Sequence, residues 1–325
     1  NYALYCVTLK LNMITNIFKR LTIRAIITCF FLSFSANFFV LFCRAEGNLY
    51  NQIFIESFIF SLNILLIIIL AAISEARKFN LKFGASHLIS FPLSIILFAK
   101  GQYVNPQKLI IAFSLLLAAN ILSKEINKIN PVKDFFLLGF IFTSLSYINL
   151  NLSLFFFSIV LVIIYIPSKQ KALISILLGI VAALSILITI SHAITGNIFY
   201  TQPKILGSNI FTPFDKNNSE FVWISTVIIA LIASLWMKQK KLQKRSLFDL
   251  GNSGNFMSIW LVISLIFRFF DLYQDESKWL LSYIPTAFFI GNIFEMIRKD
   301  RNREILFFSI LFIGVISNLY ENGLI

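Results

Sequence analysis

A chain of 325 residues has the length of one large soluble domain or two small ones, yet 58% of it is apolar and only 13% is charged. Soluble domains run near ~45–50% and ~25%, and 28 basic with 15 acidic side chains cannot cover this much apolar surface in water. The composition therefore excludes a water-soluble fold, and the formal charge of +13 is the Lys and Arg surplus that membrane proteins keep in cytoplasmic loops rather than a sign of nucleic-acid binding.

In chain order, Asn1–Asn12 precede Met13, and residues 1–12 are expected to be an upstream or disordered segment, with 13–325 forming a single transmembrane domain. Lys19, Arg20 and Arg24 then lead into an apolar run ending at Cys43-Arg44, with no small-x-small cleavage site, so the run reads as a retained first helix. A spanning helix needs ~20 mostly apolar residues. Charges bound the candidates at about 25–43, 57–74, 84–99 (with Pro92), 107–122, two within 135–166, 172–194, 221–237, 256–270, 279–296 and 305–320. No Gly/Ser linker or long polar stretch divides the chain.

The interval from Phe135 to Ile166 would be ~48 Å long as one helix, too long for a ~30 Å hydrocarbon core. A turn at Asn149 and Asn151 splits it into two short pieces, either a thin hairpin or a re-entrant pair. With the N-terminus inside and about eleven spans, twenty-one of the 28 Lys and Arg residues fall on the inner side and seven on the outer. The bias agrees at every loop, which sets the threading and leaves the C-terminus outside. The run Lys238–Arg245 then faces the anionic inner leaflet as an anchor or a plain topology signal.

Few side chains stand out for chemistry. Glu56 and Asn63 form a possible intramembrane polar site, since ionisable and polar groups at membrane depth are costly and often functional; Glu56 also lies near enough to the outer border to reach water. Arg268 and Asp271, spaced i, i+3, can pair on one helix face. His87 and His192 read as hydrogen-bonded interior histidines rather than metal ligands, and Cys29 and Cys43 as packing thiols. Gly179 and Ala183 have the small-xxx-small spacing of close helix packing. There is no Walker A, GxSxG, HExxH or CxxC motif and no Rossmann glycine string. No metal and no cofactor is expected.

Two resemblances add to this. Met13-Ile-Thr-Asn-Ile-Phe, the hairpins at 107–166, and the ending with Tyr283-Ile284-Pro285, Gly291-Asn292-Ile293-Phe294-Glu295 and Arg303-Glu304-Ile305-Leu306 resemble an uncharacterised family of bacterial polytopic inner-membrane proteins. Members are sometimes labelled carotene monooxygenases, a label that implies histidine-bound iron and that a chain with two histidines argues against. The order of an N-in helix, an outer loop with an acid, a second helix, two short hairpins, a long helix and a long outer loop is similar to the C-type glycosyltransferases. That resemblance implies a polyprenyl-phosphate-linked sugar as partner, Glu46 of the first outer loop as general base, and Lys204 or Arg268 offsetting phosphate charge. This chain departs from the family in carrying Glu rather than Asp there, and its second outer loop, 100–108, has no acid.

The reading is an all-α polytopic transmembrane bundle of a bacterial inner membrane, bound to lipid and not to nucleic acid. Its most specific expected activity is an outer-face transfer from a lipid-linked sugar, with Glu46 catalytic and Lys204, Arg268 and Asp271 in substrate binding. A transporter or flippase and a non-catalytic membrane assembly component are the alternatives.

Overall fold

The computed structural model describes residues 14–20, 22–44, 50–76, 85–97, 106–122, 130–165, 168–196, 224–233, 252–269 and 280–321. Among them every regular element is a helix: α1 (Ile14–Ile17), α2 (Ile23–Arg44), α3 (Tyr50–Ala76), α4 (Ala85–Leu97), α5 (Pro106–Leu122), α6 (Lys133–Ile148), α7 (Phe156–Tyr165), α8 (Lys169–Thr195), α9 (Ile224–Ala233), α10 (Asn252–Phe269), α11 (Leu280–Met296) and α12 (Asp300–Glu321). A 3-10 segment, Leu150–Phe155, leads into α7. Three of the helices, over Ile23–Cys43, Lys169–Ile194 and Asp300–Tyr320, are long and apolar enough to cross a membrane.

Polar residues set the helix ends. The Thr22 hydroxyl accepts from the Ala25 amide at 3.2 Å, an N-cap that opens α2. Asn130 opens α6: its side chain accepts from the Val132 and Lys133 amides at 3.0 and 3.1 Å, and its own amide donates to Asp134 Oδ2 at 2.8 Å. This reciprocal pattern satisfies amides that a helix start leaves free, and it accounts for Asp134 being buried. The expected break after α6 is present. Asn149 is extended and its side chain accepts from the Asn151 amide at 3.0 Å. Phe155 and Phe156 then return to Phe142, with ring centroids 6.2 and 5.7 Å away. Gly196, at φ 70°, closes α8 through an amide bond to the His192 carbonyl, the left-handed cap that glycine adopts without strain.

Two groups of helices are joined by α5 and α10. In the first, α2 and α3 form an antiparallel hairpin against α4, which α11 and α12 enclose from other sides. In the second, α6 and α8 pack closely. Gly139 lies against the backbone of Ile176, and Gly179 against the backbone of Phe136, so that a side chain at either glycine would collide with main chain. Ala183, fully buried, extends the expected small-xxx-small contact. Phe155, seated against Trp260 and Phe267 of α10, belongs to the aromatic packing between the groups.

Two boundaries and one burial differ from the sequence expectation. Helix α3 starts at Tyr50 rather than near 57, because the polar Tyr50-Asn51-Gln52 turn is helical and exposed. Glu56 therefore lies in the second turn of α3. Helix α12 starts at Asp300 rather than 305, with the acid in its first turn favoured by the helix dipole. His192 is exposed, not interior, because α8 is covered mainly on the face that meets α6.

Candidate functional site

Helix α4 is 13 residues long, ~20 Å at 1.5 Å per residue. Its side chains from His87 to Leu97 are buried, with only Ile96 partly open. Pro92 interrupts it and has no N–H to give to the carbonyl four residues back, that of Leu88. Cys29 of α2 supplies a donor instead, Sγ to Leu88 O at 3.1 Å. From α11, the Tyr283 hydroxyl donates to Phe91 O at 2.9 Å. From α12, Asn318 Nδ2 donates to Ile96 O at 2.7 Å, reaching a carbonyl that the end of α4 leaves without a helical partner. Away from water, carbonyls freed by a proline or a helix end must be met by neighbouring groups, and here Cys29 of α2 and Asn318 of α12 meet two of them.

Side-chain polarity continues along the same helix. His87 Nε2 and Asn292 Oδ1 are 3.2 Å apart, and the His87 ring lies 5.4 Å from that of Phe288. Gly291 gives His87 its room, since a Cβ there would overlap the imidazole; Gly314 does the same for Ile96. Ser90 and Ser94 turn their hydroxyls onto the carbonyls of His87 and Ser90 at 2.6 and 2.8 Å, which keeps them satisfied in an apolar interior.

The α2–α3 hairpin contributes polar groups of a different kind. Ring contacts Phe30–Phe58, Phe34–Phe54 and Phe42–Tyr50, at 5.8, 5.2 and 5.9 Å, fix its antiparallel register. Many of these rings face outward. The inward faces carry Ser33, Asn37, Ser57, Ser61 and Asn63, all buried. Ser61 bonds back to Ser57 O at 2.8 Å. Asn37, 1% exposed, has no partner at either amide atom; the Ser57 hydroxyl and Asn63 Nδ2 also have none. By the register, Asn37 and Ser57 stand within ~11 Å along the hairpin, two helical turns, with Ser33 between them. Each unmet polar group costs about 1–3 kcal/mol.

The residues singled out from sequence are distributed unevenly. Asn63 is buried, whereas Glu56 is half-exposed and accepts from Gln52 Nε2 at 2.9 Å. Seven residues apart on one helix, the two stand ~10 Å from each other along its axis. Arg268 is in the last turn of α10, and its side chain, like Glu46, Lys204 and Asp271, lies outside the described residues. His87 is the bonded interior histidine the sequence implied, and Cys29 is a buried thiol held by packing and one hydrogen bond. Sequence reasoning passed over Asn37, Ser57 and Asn318; the signal available was a lone Asn or Ser inside an apolar run. Tyr283, Gly291 and Asn292, noticed only as parts of an ending motif, prove to be partners of α4. Among the described residues, no three His, Cys, Asp or Glu side chains are grouped as a metal site requires.

No protein-family model, curated protein or solved structure matches this chain.

Proposed function

We propose that the protein is a polytopic protein of a bacterial inner membrane, with about eleven spans and its N-terminus inside, that accepts a polar substrate group between α2, α3 and α4 and moves it through the bilayer as a transporter or flippase. The observation that carries this reading is Asn37: a fully buried amide on an apolar helix, unpartnered at both ends. Retaining unmet polar groups in a lipid-embedded bundle is costly, which supports a role for them beyond packing. Ser57 and Asn63 extend the same inward face. The five inward groups are neutral, so they suit a neutral donor–acceptor group, such as a hydroxyl or an amide, better than an ion. A substrate entering there would exchange its hydration for the Asn37 amide and the Ser57 hydroxyl.

Cysteine accessibility tests both path and threading. In a background with Cys6 and Cys43 replaced by Ser, a membrane-impermeant thiosulfonate added outside should modify Asn37→Cys, Ser57→Cys and the control Tyr50→Cys. It should spare Arg298→Cys and Ala183→Cys. Labelling of Tyr50→Cys with none at positions 37 and 57 would defeat the pathway, and labelling of Arg298→Cys from outside would defeat the threading.

The outer-face transferase is the second reading, favoured by the position of Glu46. Helix α2 ends at Arg44 and α3 begins at Tyr50, and in sequence Glu46 belongs to the short connection between them. A carboxylate acting as general base there contributes ~10²–10⁴ in rate. Glu46→Gln, at matched membrane levels, should then alter cell-envelope glycans; an unchanged glycan profile removes this reading and leaves the first intact.

A further inference from the structure

At the end of the bundle where α2 and α12 begin, side-chain bonds draw two distant stretches together. Thr15 donates from its amide and hydroxyl to Glu304 Oε1 at 2.8 and 2.9 Å, and Lys19 Nζ donates to Asp300 Oδ2 at 2.6 Å. Arg303 turns inward, with Nε donating to Ile297 O at 2.7 Å. These contacts use Lys19 and Arg303 among the cations and Asp300 and Glu304 among the acids. Arg20, Arg24, Arg298, Lys299 and Arg301 remain exposed, and no described carboxylate pairs with them. The remaining acid of these stretches is Glu295. The corner is therefore strongly cationic.

Apolar surface begins at once beyond these charges. On α2, Ile23, Ile27 and Phe31 are 77%, 49% and 60% exposed; on α12, Ile305, Phe308 and Phe312 are 55%, 53% and 64% exposed. The α12 set follows Arg301 at helical spacing on one face. From Arg301 to Phe312 the row rises ~16 Å, close to the ~15 Å depth of one leaflet's hydrocarbon. On α12 a cationic head followed by an apolar row of this length matches an acyl-chain amphiphile with a negative headgroup, and the α2 row, ~12 Å from Ile23 to Phe31, adds a shorter apolar strip next to Arg24.

We propose that this corner is a binding site for an anionic phospholipid, with its phosphate among Arg24, Arg298 and Arg301 and its acyl chains along the α2 and α12 rows. The proposal rests on the membrane reading above and is independent of the polar face around Asn37. Charge complementarity selects an anionic lipid over a zwitterionic one, and the apolar rows select a lipid over free phosphate. Each cation near such a headgroup adds appreciably to binding.

The test uses the full-length protein in neutral detergent, with thermal unfolding followed as lipid is added. Phosphatidylglycerol should raise the melting temperature by more than about 2 °C; phosphatidylcholine and inorganic phosphate at the same concentration should not. In Arg24→Gln/Arg298→Gln/Arg301→Gln the apparent affinity should fall by about tenfold to a hundredfold. The corresponding triple Arg→Lys protein should keep the response, which separates charge from folding. Lys169→Gln/Lys171→Gln, which removes exposed cations at the start of α8, should also keep it. An equal response to phosphatidylcholine, a wild-type response in the triple Gln protein, or equal loss in the Lys169/Lys171 protein overturns the site. Release of the protein from membranes by alkaline carbonate would instead overturn the membrane reading beneath it.

Discussion

Helices α4 and α8 meet the same apolar surroundings in opposite ways. Helix α4 is short, carries Pro92 in its interior and is rich in polar side chains, and it is enclosed by α2, α11 and α12. Helix α8 has 27 residues and no internal proline, and it presents Leu173, Ile174, Leu177, Leu178 and Val181 outward while burying Ala172, Gly179 and Ala183. A helix with an open apolar face must satisfy its own backbone along its whole length. An enclosed helix can leave carbonyls to its neighbours, and α4 does so at Leu88 and Ile96. The freed carbonyls of α4 thus lie where other helices can answer them.

The contrast can be broken most sharply by moving the irregularity. Leu178→Pro in the exposed face of α8 should cost ~3 kcal/mol or more, because no side chain stands ready to take the freed carbonyl as Cys29 does for α4. The measurement is the yield of folded, monodisperse protein and its melting temperature; a stability equal to wild type would show that α8 is not self-sufficient in the sense argued here. A smaller effect comes from withdrawing one answer. Asn318→Leu leaves the Ile96 carbonyl unmet and should cost about 1–3 kcal/mol in reversible unfolding from mixed micelles, whereas Asn318→Gln should recover part of that loss. The smallest effect sharpens the other side: Leu177→Ala, 60% exposed on α8, should change stability by less than ~0.5 kcal/mol, since lipid tails solvate the shorter chain equally well. A loss as large as a buried Leu→Ala would mean that α8 is covered by another protein surface.

Much of the helical layout could be read from charge and hydropathy. The charge-bounded segments at 25–43, 107–122, 172–194 and 279–296 each coincide with a helix to within a few residues. The break at Asn149 was legible because an Asx turn is local chemistry. The same holds for Gly179 and Ala183, where the spacing within one helix announces a close contact. What escaped was whatever depends on pairing between helices. Nothing near Pro92 in the chain says that Cys29 meets the carbonyl it frees, or that Asn292 and Asn318 face a helix some two hundred residues earlier. Charge also drew attention unevenly. Glu56 invited a functional reading and proves half-exposed beside Gln52, while the uncharged Asn37, buried and unpartnered, invited none. A lone amide in an apolar run carries no sign of which way it faces until the register of its neighbour is known.

The clasp around α4 has a consequence for how the chain is made. The bonds from Tyr283, Asn292 and Asn318 to α4 bridge 192, 205 and 222 residues. At ~5–20 residues per second, α4 leaves the ribosome ten seconds or more before the helices that complete its surroundings exist. Through that interval a short, proline- and histidine-bearing helix lacks the partners that α11 and α12 supply. A nascent chain stalled before α11 would therefore hold an unfinished α4 and offer quality-control proteases a substrate that a chain carrying α11 and α12 conceals.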